Sequence, residues 1–408
     1  MATRAAIYLM AHQPRRLRLP AVPVPPGASA AGLEAALLDD EMNRRYFDRV
    51  LEKCYEPTVE LLGRLATDGM AVNLGMSGSL RVQAQRWAPD WLARWDALLQ
   101  LDTVEPVALD PYHGFLFYMD LPAFTRGMRR AADQLATETG RRPRVADTTE
   151  MWHSPAMAAA LSDAGYKAEV VDGRPGLMDW RRPTYLYRTG PQNSLYVVPR
   201  HVDLSDDVGY RYSDKSWRDW PLKPERYANW IRQAEGSFVF LAWDFETFGE
   251  HHWADTGIFE FLERLPEALA RAGVTLYRLG DLVEELAGTA HDLPVPTDAV
   301  TWAGQGTPDF FLGNEPQRHL FRLMHEVYAL ARRHGGAALD VAQWLLQSDH
   351  LHLLHWYGAS GAEAEVSAYF TPQEWWRLGN EGIAREMAEV YRHYLEWVLA
   401  AGTGRSRG

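Results

Sequence analysis

Short apolar runs recur along the first two-thirds of the chain. Longer stretches with apolar residues at i, i+3 and i+4 separate them. The runs predict strands at Ala5–Met10, Val72–Leu74, Glu105–Leu109, Arg144–Asp147, Ala168–Asp172, Leu195–Pro199, Phe238–Asp244 and Val274–Tyr277. The intervening pattern predicts helices near Asp40–Thr67, Trp87–Gln100, Ala123–Thr139, Pro155–Ala164, Lys223–Ala234 and Ile258–Ala272. Strands alternating with helices argue for parallel pairing. Seven or eight such units closing on themselves make a (β/α) barrel; an open doubly wound sheet is the alternative. Pro20–Pro26 and the Gly-Ala-Ser stretch behind it read as an irregular loop after the first strand. Beyond Leu286 the strand signal fades. Ala290–Asn314 reads as a loop-rich connection, and Pro316–Arg333, Ala338–Leu346 and Pro372–Ala400 as helices. The pattern therefore predicts an α/β domain over 1–287, barrel or open sheet, a helical region over 288–402 that would close over the rim of a barrel, and a frayed tail over 403–408.

Polar residues collect at one kind of place. His12 and Gln13 follow the first strand, Ser77 and Ser79 the second, His113 the third and Glu150 the fourth. Asp172 ends the fifth, His201 follows the sixth and Asp244 ends the seventh. In a parallel barrel all these points share the C-terminal rim, where active sites form. Glu150 and Asp244 come from different strand ends and can flank one bond, one carboxyl ionised as nucleophile and the other held protonated as acid. Their ordinary alternatives are a helix-start Glu and a turn cap.

Composition narrows the chemistry. The 408 residues carry 42 basic and 54 acidic side chains, net −12, which argues against nucleic acid or an anionic membrane as partner. The single cysteine, Cys54, excludes a disulfide framework and any multi-cysteine metal site. With no secretory signal pattern at the N-terminus, a cytoplasmic protein is expected. No phosphate-binding Gly-rich loop, dinucleotide fingerprint or G-x-S-x-G elbow occurs, so no cofactor is implied. The histidine clusters Glu250–His252 and His350, His352, His355 lack metal-protease spacing, and no metal is expected. The surplus is aromatic: 16 Trp, 18 Tyr and 14 Phe. Flat rings suit a saccharide cleft as well as a core, and Trp152, Trp253 and Trp302 lie near the proposed rim loops.

These same residues carry a family resemblance. Ala11–Pro14 (AHQP), Gly75–Leu80 (GMSGSL), Thr148–Trp152 (TTEMW), Trp243–Trp253 (WDFETFGEHHW) and Trp344–His350 (WLLQSDH) resemble, in order, the five motifs of glycoside hydrolase family 57, α-amylase-type branch. Asp39–Asn43, Glu52–Pro57, Asp110–Gly114, Leu204–Gly209 and Thr256–Leu265 are similar to its connecting segments. The chain departs from that pattern at Ala11, at Asp147-Thr148-Thr149 where the branch usually carries Arg-Asn-Thr, and in the His-rich stretch after His350.

The resemblance implies an incomplete (β/α)7 barrel with a C-terminal helical region. It also implies retaining, metal-free chemistry on an α-glucan or maltodextrin, with Glu150 as nucleophile and Asp244 as acid/base. Substrate contacts are then expected from His12, Gln13, Ser77, His113, Trp152, His201, Trp253, Trp302, Asp349 and His350. Glu246 and Glu250 are expected to position the loop and raise the Asp244 pKa, with His251 beside them in support. Alternatives are a 4-α-glucanotransferase or branching enzyme on the same scaffold, a metal-dependent polysaccharide deacetylase, and a non-catalytic carbohydrate-binding homologue.

Overall fold

The first strand, β1 (Arg4–Ala11), is buried on both faces, as an unbroken apolar run requires of a central parallel strand. Its residues alternate between two layers. Ala6, Tyr8 and Met10 join an inner cluster, while Ala5, Ile7, Leu9 and Ala11 join an outer one under the helices. The computed structural model describes residues 1–190, 195–293, 296, 298–356 and 371–405.

Along the chain follow β2 (Val72–Met76), β3 (Val104–Pro106), β4 (Ala108–Leu109), β5 (Val145–Asp147), β6 (Ala168–Asp172), β7 (Tyr187–Arg188), β8 (Tyr196–Arg200) and β9 (Val239–Asp244). β1 pairs in parallel with β9 on one side and β2 on the other, and β2 pairs with β3. A second parallel set runs β4, β5, β6, β8. Only Val107 separates β3 from β4, so one stretch of chain passes from the first sheet to the second. On the far side β8 meets β9 through the His201 N–H, which donates to the Phe240 carbonyl at 2.8 Å. The Arg200 Nε donates to the Ala242 carbonyl at 3.0 Å along the same seam. With β3 and β4 taken together, seven strands close in chain order with one thin seam, an incomplete (β/α)7 barrel. β10 (Thr275–Leu276) lies along the first residues of β1, where β2 does not reach. β7 and β11 (His291–Asp292) extend the second sheet beyond β8.

The chain forms two compact units, neither contiguous in sequence. Met1–Gln13, Tyr46–Pro111 and Pro122–Trp302 make the barrel unit; Pro14–Arg45, Tyr112–Leu121 and Ala303–Gly408 make a helical one. The pattern of hydrophobic residues places 14–45 and 112–121 with the barrel, but local contacts bind them to the helices. The Arg15 guanidinium reaches Glu34 at 2.9 Å and lies over the Trp344 ring at 5.2 Å. Phe115 packs against Phe311 and Phe321. The last helix, Gly379–Arg405, runs through the expected frayed start at Thr403. Short helices at Ala30–Leu37, Gly78–Trp87 and Val202–Gly209 were not expected; Ser29, Ser77 and His201 cap their N-termini. Among the described residues no helix is long and apolar enough to cross a membrane.

One local irregularity bears on the site. The predicted helix over Asp40–Thr67 contains a π turn at Leu51–Tyr55. Pro57 has no N–H to return to the Lys53 carbonyl, so the regular ladder cannot continue there. The turn sets Thr58 Oγ1 on the Phe248 carbonyl at 3.2 Å, and the Trp91 indole donates to the Tyr55 carbonyl at 3.1 Å. Gly249, at φ 113°, packs so closely on Lys53 that a Cβ would overlap its carbonyl oxygen. Gly249→Ala adds both that overlap and a left-handed backbone penalty, together about 3 kcal/mol. Urea titration should show the loss, and a variant within about 0.5 kcal/mol of the parent would contradict this packing.

Candidate active site

Glu150 occupies the first turn after β5, in left-handed backbone at φ 58°, and Met151 follows at φ 49°. Such backbone costs an L residue roughly 1–2 kcal/mol, so it persists only where surroundings impose it. Here they do. The Thr301 hydroxyl and the Trp302 backbone N–H both donate to the Glu150 carbonyl, at 2.6 and 3.1 Å. His153 and Val300 exchange two backbone hydrogen bonds at 2.8 and 3.0 Å. Ahead of the turn, Thr149 Oγ1 donates to Asp110 Oδ2 at 2.7 Å in the interior. The Glu150 side chain is engaged as well: the Trp302 indole N–H donates to its Oε2 at 2.8 Å.

Asp244 ends β9. Phe238, Phe240 and Ala242 face the barrel interior, and strand alternation continues that face to Asp244. Tyr8 connects this strand end with that of β5. Its buried hydroxyl donates to Asp147 Oδ2 at 2.8 Å. Burial first, then the charges of Asp147 and Asp244, push its pKa well above the tyrosine range. Gly75 makes room for this hydroxyl, since a Cβ there would stand 2.6 Å from it.

Glu246 lies within the electrostatic reach of Asp244. Its Oε1 accepts from the Tyr55 hydroxyl at 2.5 Å and from the His12 N–H at 3.2 Å. Burial, and secondarily the Asp244 charge, push its carboxyl up to about 8, against these hydrogen bonds. His12 Nδ1 meets Ser77 Oγ at 2.8 Å, so Ser77 serves to orient His12. Gln13 is buried, its carbonyl accepting from Gln83 at 3.0 Å and from Ser79. His201 caps its helix through Nδ1, and burial lowers its pKa.

The other expected residues have varied surroundings. Trp152 is 2% exposed and belongs to the core, so it offers no face to a sugar. Trp302, read from sequence as a stacking ring, has its N–H committed to Glu150. Glu250 pairs with Arg49 at 2.5 Å. His251 is lowered by burial to about 4, opposed by Glu250, and stays neutral at physiological pH. Trp253 is 59% exposed, with Lys53 Nζ 4.9 Å from its ring centroid, and keeps an open face. His113, Asp349 and His350 belong to the helical unit. There the His113 carbonyl accepts from Ser348 at 3.0 Å. His350 is buried with Nδ1 on the Tyr391 hydroxyl at 2.8 Å and Nε2 on the Arg15 carbonyl at 3.2 Å, a structural rather than a sugar-binding arrangement. His355 stacks on Phe310 at 4.1 Å. Among the described residues no group of three or more His, Cys, Asp or Glu is arranged to hold a metal ion.

Sequence reasoning missed a buried ion network at the same strand ends. Asp172 forms an ion pair with Arg174 at 2.5 Å and accepts from Arg200 at 3.2 Å, and Arg200 reaches Asp206 at 2.6 Å. Tyr210, 74% exposed, lies within electrostatic reach of Asp244, Arg200 and Arg174. Strand-final aspartate and arginine, Asp172 and Arg200, are the signal that could have found it.

The fold is an incomplete (β/α)7 barrel, with Glu150 in the turn past β5 and Asp244 at the end of β9. The model of glycosyl hydrolase family 57 matches residues 6–294, and the chain belongs to that family. A putative α-amylase from Methanocaldococcus jannaschii is 29% identical over 294 residues, 71% of this chain and 62% of that protein. The chain thus spans less than two-thirds of that relative. The fold is similar to a branching enzyme of the family from Thermococcus kodakaraensis (TM-score 0.65, 13% identity, covering 96% of this chain and 94% of that one). It is also similar to a 4-α-glucanotransferase from Thermococcus litoralis (TM-score 0.63, 14% identity, covering 87% and 59%).

The raised Glu246 carboxyl makes a pH-dependent contribution. With a folded value above the unfolded one, the contribution is full below the ordinary carboxylate range and is lost as pH rises towards 8. Glu246→Gln removes the titration while keeping an acceptor for Tyr55. The variant's Tm, relative to the parent's, should rise between pH 5 and pH 8.5; a difference that stays flat across that range would contradict the assignment.

Proposed function

We propose that this protein is a retaining α-glucan-active glycoside hydrolase of the α-amylase type, with Glu150 as nucleophile and Asp244 as acid/base. The observation that carries the reading is the placement of the two carboxylates. Glu150 lies in the turn just past β5 and Asp244 ends β9, and Tyr8 links those two strand ends, hydrogen-bonded at β5 and within the field of Asp244 at β9.

In the first step a Glu150 oxygen bonds to the anomeric carbon as the glycosidic C–O bond breaks, and the departing oxygen takes the Asp244 proton. In the second, Asp244 accepts a proton from water, whose oxygen attacks the anomeric carbon and releases Glu150. His12 and His201 stand at the same rim to bind sugar hydroxyls, His12 oriented by Ser77. Trp253 supplies an open ring for stacking. Likeness of fold to a branching enzyme of the family and to a 4-α-glucanotransferase motivates a second outcome of the same chemistry, in which a sugar hydroxyl replaces water in the second step.

Glu150→Gln should lower turnover of maltoheptaose at least 10³-fold with an unchanged melting temperature. More than about a tenth of parental activity would remove Glu150 from the nucleophile role. Products of the parent shorter than the substrate indicate hydrolysis; products longer than it indicate transfer. Activity should also survive EDTA, whereas its loss would favour a metal-dependent deacetylase.

A further inference from the structure

We propose that Trp302 is the positioning residue of the nucleophile, a hydrogen-bond donor clamped against Glu150 by the Asp172–Arg174–Arg200 network. This rests on the reading of Glu150 as nucleophile. The chain grips Glu150 at both ends through one dipeptide: Thr301 and the Trp302 N–H hold its carbonyl, and the Trp302 indole holds its carboxylate. An indole N–H only donates, so it favours the charged carboxylate.

The ring is itself held. The Arg174 Nη2 donates to the Trp302 carbonyl at 2.9 Å, and the Arg200 guanidinium carbon lies 5.8 Å from the ring centroid. Arg174 and Arg200 share Asp172, and Arg200 also takes Asp206. Two cations and two anions cancel, so the cluster orients the ring while adding no net charge. Arg200 reaches the other carboxylate too, because its Nε binds the Ala242 carbonyl two residues before Asp244. One guanidinium thereby references both halves of the catalytic pair.

The hydrogen bond strengthens as Glu150 regains its charge, which occurs when the glycosyl–enzyme bond breaks. Its loss slows that step. Trp302→Phe keeps the ring over Arg200 and deletes only the donor. The variant should lose about 10- to 100-fold in kcat on maltoheptaose, the size of a hydrogen bond to a charged group. KM should stay level or fall, and the acidic limb of kcat/KM should move to higher pH. The other titratable groups at these strand ends remain in place: Tyr8, His12, Asp147, Asp172, Arg174, Arg200, His201, Asp206, Tyr210, Asp244 and Glu246. A limb shift is therefore assignable to Glu150.

A ring that only stacks on sugar gives the opposite pattern, a raised KM with kcat and the limb unchanged, and that result overturns the proposal. Should Trp302→Phe fail to fold, Arg174→Gln leaves the indole and removes its carbonyl anchor. It should show the same signature more weakly, and an unmoved acidic limb there overturns the proposal as well. Substantial activity in Glu150→Gln instead removes the nucleophile reading on which the proposal stands. An inactive Glu150→Gln beside an unaffected Trp302→Phe overturns the clamp alone.

Discussion

Two consecutive side-chain-bearing residues in left-handed backbone, Glu150 and Met151, are the constraint on which the site depends. β5 ends at Asp147, so the chain has three residues in which to turn a carboxylate to the barrel mouth. A regular helix start at that point would carry Glu150 onward with the chain. The strained turn stops it at the rim, and the cost, of order 1–2 kcal/mol per residue, is offset by hydrogen bonds from 300–302 and Thr149. Buried His153 adds a 2.9 Å contact with Glu169, anchoring the turn's exit. The segment 300–302 lies more than a hundred residues downstream, so the turn is stable only once the barrel unit has formed.

The barrel interior is correspondingly polar where it approaches the rim. Below, Ala6, Val145, Val170 and Phe240 pack as an apolar plug. Above, Tyr8 meets Asp147, and Arg200 meets Asp172. Asp147 stands where the α-amylase-type branch usually carries arginine. The tyrosine hydroxyl supplies the donor this buried carboxylate needs, and Gly75 supplies the space for that hydroxyl. An acidic residue thus stands beneath Glu150 where the resemblance leads one to expect a basic one, and this chain's own residues accommodate it.

Much of this was legible in the residues. Parallel strands buried on both faces leave continuous apolar runs, so β1, β6 and β9 read almost to the residue. Glu150 and Asp244 stood out because each directly follows or ends such a run. What could not be read were partners distant in sequence. Trp152 and Trp302 look alike beside a rim loop, yet one points into the core and the other at a carboxylate. His350 resembles a site histidine until Tyr391 and the Arg15 carbonyl, 41 and 335 residues away, are found on its two nitrogens. The interleaving of the two units was hidden for the same reason. Nothing local in Pro14–Arg45 announces that Arg15 will lie over Trp344.

The central claim, that Glu150 forms a covalent bond to the sugar, is tested most directly by trapping that bond. A 5-fluoro maltosyl fluoride accelerates formation of a glycosyl–enzyme and slows its breakdown, so the adduct accumulates on a retaining enzyme. After proteolysis, mass spectrometry should find one maltosyl-sized increment, on the peptide that contains Glu150 and on its carboxylate. A label on the peptide containing Asp244, or turnover of the fluoride to product of inverted anomeric configuration with no adduct, would contradict the account.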